Sequence, residues 1–181
     1  MSSLRTCRSR GFTLVELLAV VAIVGILATT AVVLVGRHVK ASRTVEAISM
    51  VQSIRAAEER YRTENRAYLS LSATLQDYFP LAAPDGERHA FYTGIPAQDH
   101  LWKVLAPTVP ETVRFGYAVV AGQSGGTLPM PDTTSKPTWP APTAAWYVIE
   151  ATSGDPDKDG KTCYVLASSL SGEVYVENEG D

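Results

Sequence analysis

Gly11-Phe12-Thr13-Leu14-Val15-Glu16 opens the stretch that decides the fold. From Phe12 to Gly36 the chain runs twenty-five residues with a single ionisable side chain, Glu16. A run of that length can span a bilayer as one helix. An unpaired carboxylate inside it costs roughly 2.5 kcal/mol or more, which marks an intramembrane acid as a functional position. Ahead of the run lie Arg5, Arg8 and Arg10, a short basic leader without acids. A secretory signal peptide would have a shorter apolar core, about 7–15 residues, closing on a small-residue site. Ala28-Thr29-Thr30-Ala31 offers such a site only weakly, and the apolar run continues past it. A plain membrane anchor is the other alternative, and it has no use for Glu16.

The string from Gly11 to Glu16, with its basic leader and following apolar run, resembles the prepilin signature of type IV pilins and type II secretion pseudopilins. The resemblance implies cleavage between Gly11 and Phe12 by a prepilin peptidase that also methylates the new N-terminus. The chain then divides into a leader (1–11), a transmembrane and filament-core helix (12–36) and a globular head (37–181) that includes the second half of the helix. It also implies a single pass through the bacterial inner membrane, N-terminus cytoplasmic, followed by an extracellular or periplasmic filament of identical or related pilins. Inner-membrane assembly machinery and, before assembly, membrane lipid would be further partners. Glu16 would meet the N-terminal amine of a neighbouring subunit and set its register, or else pair with its own amine four residues away.

Charge is consistent with that class. Without the leader the chain carries 13 basic and 19 acidic side chains, a net of about −6, which argues against a nucleic-acid binder working through bulk positive charge. Arg37, His38, Lys40 and Arg43 cluster just after the apolar run, as a local basic patch or as the point where the helix leaves the bilayer. Three Arg precede the run and three basic residues follow it, so the positive-inside rule gives no orientation. Cys7 lies in the leader, leaving Cys163 without an internal disulfide partner. Many pilins close their C-terminal region with such a bond, and this sequence departs from that pattern.

Helical periodicity continues past the membrane face. Ala47, Met50, Val51, Ile54, Ala57 and Tyr61 recur at steps of three and four, with Glu46, Arg55, Glu58, Glu59 and Arg62 between them. No Pro interrupts residues 12–79, so one helix from about 13 to about 64 is expected, with Asn65 as terminator. Ala19, Ala22, Gly25, Ala28 and Ala31 form a stripe of small residues that winds around the helix and suits several neighbours. Leu71–Phe79 reads as a short helix and His89–Tyr92 as a short strand. Alternation predicts strands at Val113–Val119, Trp146–Ile149, Cys163–Ala167 and Glu173–Glu177. Gly122–Pro142, rich in Gly, Pro, Thr and Ser, reads as a long surface loop. The fold class is α+β and pilin-like: a long N-terminal helix packed by its C-terminal half against an antiparallel sheet of about four strands.

Chemistry is sparse. Asp155, Asp157 and Asp159 alternate before Gly160, like the first half of a calcium loop. The twelfth position is Leu166, where a bidentate Glu should stand, so an EF-hand is excluded. Major pseudopilins resemble this sequence in having an Asp-rich, calcium-binding loop near the C-terminus; a solvated turn is the alternative. His38, His89 and His100 show no metal spacing, no nucleophile elbow is present, and Cys163 reads as a small buried residue. The expected function is therefore non-enzymatic: a structural subunit of a type IV pilus. The alternatives are a type II secretion pseudopilin with a calcium-stabilised loop and a monomeric membrane-anchored binding module using Gly122–Pro142.

Overall fold

The computed structural model describes residues 12–134, 137–155 and 160–179. The chain divides after His38 into two units. Helix α1, Leu14–Asn65, begins in the first and ends in the second. It closes where the sequence placed its end. The Arg66 N–H donates to the Arg62 carbonyl at 2.7 Å, and Arg66 takes the left-handed conformation (φ 60°) that ends many helices.

In the second unit α1 buries Ala47, Met50, Val51, Ile54 and Ala57. They share one cluster with Tyr117, Val119, Tyr147, Ile149, Val165 and Ala167 of a four-stranded antiparallel sheet. Its strands are β3 (Gly116–Gly122), β4 (Trp146–Thr152), β5 (Tyr164–Ser168) and β6 (Ser171–Glu177), paired in that order. A second, two-stranded sheet pairs β1 (His89–Ala90) with β2 (Thr112–Val113). Between them lies α2, Pro96–Leu105, which starts with Pro at its N-terminus and points Trp102 and Leu105 into the core.

Every residue of β4 is buried, because both faces of the sheet are covered. Tyr147, Ile149 and Ala151 join the helix-side cluster, whereas Trp146 and Val148 pack with Leu75, Leu128, Trp139 and Leu170 on the outer face. The outer cover comes from irregular chain: residues 68–80 and, of the connection between β3 and β4, residues 123–134 and 137–145.

Three sequence expectations need correction, and one helix is new. Leu71–Phe79 is not a helix but a strap along the edge of β3. The N–H groups of Leu71 and Ser72 donate to the Val119 carbonyl, and Phe79 and Tyr117 exchange two backbone bonds at 2.9 and 2.8 Å. Leu71 packs on the helix side and Leu75 on the outer side, so helical spacing there reflects a chain that wraps round a sheet edge. The expected strand Val113–Val119 is split: Val113 belongs to β2, and β3 starts at Gly116. A side chain at Gly116 would come within 2.5 Å of Pro84 Cγ. Helix α2 was not anticipated from the sequence. Glu58, placed by the pattern among the polar positions between the apolar ones, is fully buried.

Gly154, just after β4, is required by both conformation and space. Its φ is +68°, and an added Cβ would fall 1.9 Å from the Pro84 carbonyl oxygen. Gly154→Ala is therefore expected to destabilise the head by about 2 kcal/mol or more. Thermal unfolding of the full chain in detergent would show this as a clear drop in Tm, whereas Gly172→Ala, which meets open space, should cost far less.

Candidate functional site

Thr13 sits immediately before α1, and its Oγ1 accepts the Glu16 N–H at 3.2 Å. The Leu17 N–H donates to the Thr13 carbonyl at 3.2 Å, the first bond of the helix. Thr13 is thus the N-cap and Glu16 the third helical residue, the Thr-x-x-Glu spacing of a capping box. A carboxylate in the first turn also opposes the positive end of the helix dipole. Sequence reading singled out Glu16 but missed the cap, although the spacing was legible in Thr13-Leu14-Val15-Glu16.

Everything around this turn is apolar and uncovered. Phe12 is 78 % exposed, Leu14 79 % and Val15 76 %, and the side chains from Leu17 to Leu27 remain exposed. Thr29 and Thr30 turn their hydroxyls onto the carbonyls of Ile26 and Leu27 at 2.8 and 2.9 Å, so neither presents a free donor. Leu14–Ala31 is, among the described residues, the one helix long and apolar enough to cross a membrane. Such a surface needs lipid or like helices around it. Gly11, the expected partner of Phe12 at the cleavage site, lies outside the described residues.

The model of the prokaryotic N-terminal methylation motif matches residues 6–32. No curated protein and no solved structure matches the chain. The chain thus carries a type IV pilin- or pseudopilin-like prepilin motif, which points to a structural protein of the pilin or pseudopilin class. That class implies processing by prepilin peptidase and assembly into filaments. The apolar helix is consistent with membrane anchoring.

The second candidate site is described only in part. Asp155 is half-buried, and its Oδ2 accepts the Gly160 N–H at 3.0 Å, with Gly160 at φ +81°. Asp157 and Asp159 lie outside the described residues. Among the described residues no three His, Cys, Asp or Glu side chains are grouped to hold a metal.

Further into the head, three buried carboxyls escaped the sequence reading, and two of them, Glu58 and Glu150, have raised pKa values. Glu58 on α1 accepts the Leu69 N–H at 3.0 Å through Oε2, while its Oε1 is buried without a hydrogen-bond partner. Beside it the Tyr68 hydroxyl donates to Glu59 at 2.9 Å and accepts from Arg62 at 2.8 Å. Together these bonds hold the chain reversal after α1. Burial pushes the Glu58 carboxyl up to about 7, against the pull of the Leu69 N–H, with the neighbouring Glu59 charge adding to the rise. Glu150 is the other such carboxyl. The signal was present for both: Glu58 falls four residues after Ile54, at the spacing of the apolar stripe, and Glu150 is the lone charge in β4. Asp99 is also buried, but the N–H groups of Thr93 and Gly94, the Thr93 hydroxyl and Lys103 all donate to it. Cys163 is buried as expected, its Sγ 3.7 Å from Thr44 Oγ1.

A carboxyl raised on folding stabilises fully below its unfolded pKa, and that contribution is lost as pH rises toward the folded value. For Glu58 the window runs from about 4.5 to about 7. Glu58→Gln removes the titration, keeps an acceptor for Leu69 and gives the unpartnered corner an uncharged amide. Between about pH 4.5 and pH 8 the stability of the variant relative to the parent should rise by on the order of 2 kcal/mol. Denaturant unfolding at the two pH values would measure it.

Proposed function

We propose that the chain is a structural subunit of a type IV pilus, held in the inner membrane by Leu14–Ala31 and polymerised through that helix. The observation that carries this reading is the matched motif opening a bare apolar helix whose one acid, Glu16, sits in the first turn. In this reading residues 1–11 are removed, Phe12 becomes the methylated N-terminus, and the head from residue 37 onward forms the filament surface. Glu16 then faces the amine of a neighbouring Phe12. Two unit charges 4 Å apart attract by roughly 4 kcal/mol at an effective dielectric near 20, comparable with the cost of placing a carboxylate in lipid. In this reading the pair makes the acid tolerable where subunits are in register.

Intact-mass analysis of membrane-extracted protein should give a chain starting at Phe12 with one added methyl group. Glu16→Ala should be cleaved normally and accumulate in the membrane, with filament yield in sheared fractions falling at least about tenfold, the loss that 1.4 kcal/mol would give. Normal filament yield from the cleaved variant would reject the register role.

A secretion pseudopilin is the second reading, favoured by the alternation of Asp155, Asp157 and Asp159 before Gly160. There Asp155, Asp157 and Asp159 would supply carboxylate oxygens to calcium. Millimolar calcium should then raise the Tm of the full chain in detergent by several degrees through mass action, and Asp157→Ala should abolish the shift. An unchanged melting curve leaves a plain turn.

A further inference from the structure

Glu150 projects from the central strand onto the outer face of the sheet, between Ala118 of β3 and Leu166 of β5, and all three are fully buried. Two separate covering segments converge on its carboxyl. The Tyr78 hydroxyl, from the strap, donates to Oε1, and the Asp132 N–H, from the 123–145 loop, donates to Oε2 at 3.4 Å. We propose that Glu150 is a proton-controlled latch: protonated, it keeps the loop around Asp132 closed over the sheet, and on losing its proton it releases that loop while the strap stays in place.

The groups around it set the direction. Burial pushes the Glu150 carboxyl up to about 7; the Tyr78 and Asp132 bonds pull it down, and the Asp132 charge raises it again. Tyr164 of β5 is in the same neighbourhood, its hydroxyl pKa raised by burial and then by Asp132 and Glu150, with Glu177 of β6 adding a smaller push. An ionised Glu150 must regain water, and water enters only if one cover lifts. The strap resists. Tyr78 and the Asp132 N–H both donate more strongly to a carboxylate than to a neutral acid, but among the described residues only the strap adds four backbone bonds that tie Leu71, Ser72 and Phe79 to β3. The loop is the weaker cover. It offers Glu150 one long N–H bond and places a like charge beside it. Among the described residues its other hydrogen bonds near this point include the Thr134 N–H to the Glu177 carboxylate at 3.1 Å and Gln76 Nε2 to the Met130 carbonyl at 3.5 Å, both exposed. The loop base stays shut through Gly125 N–H to the Pro142 carbonyl and Trp146 Nε1–H to the Gln123 carbonyl, each at 2.9 Å. The opening concerns residues 127–134, beyond that closed base.

Amide hydrogen exchange of the full chain in detergent tests this at about pH 5.5 and about pH 8.5, after correction for the intrinsic exchange rate. Protection of the Asp132 and Thr134 amides should fall at least about tenfold at the higher pH, while residues 71–79 keep theirs. Glu150→Gln, which cannot ionise, should hold the loop closed at both pH values. Asp132→Asn, an exposed and structurally mild change, should shrink the loss by removing the like charge. Loop protection that does not depend on pH in the parent, or an equal loss in Glu150→Gln, overturns the proposal. So does an undiminished loss in Asp132→Asn, a control that remains if the Gln variant folds poorly.

Discussion

Between Thr44 and Ala57 one face of α1 carries Ala, Met, Val and Ile side chains that water penalises, and the head is arranged to cover that face. Fully burying one Val, Ile or Met contributes about 1.5–3 kcal/mol, against about 1 kcal/mol net for a typical hydrogen bond. The apolar contact between α1 and the sheet therefore outweighs any polar contact in the head. The aromatic side chains complete it: Phe79 stacks on Trp102 and meets Phe91 edge-on, with ring centroids 5.3 and 5.2 Å apart. Polar side chains brace what the apolar face gathers. Arg60 caps the carbonyls at the end of α2, and Ser53 donates to the Thr108 carbonyl.

Covering both faces of a four-stranded sheet with only one long helix leaves the other side to irregular chain. Such segments cannot satisfy their backbone groups among themselves, so each must find partners on the sheet. The strap does so through the edge of β3. The described residues of the 123–145 loop use side chains, among them Glu150, Glu177 and Trp146. A sheet built this way combines a rigid inner face with an outer cover of uneven strength.

The long helix, its end near Asn65 and the four strands of the main sheet were legible because each rests on a local period, 3.6 residues or 2. What periodicity could not reveal was the use of one residue on two levels. Leu71 and Leu75 have helical spacing but lie on opposite sides of a sheet. Glu58 has the spacing of a core residue and the chemistry of a surface one, and the chemistry points the wrong way. Helix α2 was hidden because only ten residues carry it and its buried positions, Asp99, Trp102 and Leu105, include a charge. At the N-terminus the sequence spoke most plainly, since Gly11-Phe12-Thr13-Leu14-Val15-Glu16 combines a motif, a cap and an apolar run within a few residues. Of the Asp-rich stretch the structure describes Asp155 and Gly160, joined by one hydrogen bond.

The helix from Leu14 to Ala31 has one further consequence, for handling the protein in the laboratory. Its side chains present grease on every side, and the two threonines have folded their hydroxyls inward. In dilute buffer such a rod would seek any amphiphile or any copy of itself. The size distribution of the purified chain would then depend on the detergent chosen, its micelle radius and its ratio to protein. Stoichiometries measured after extraction thus describe a mixed particle, and comparing several amphiphiles is the way to separate the protein's own associations from those of its solvent.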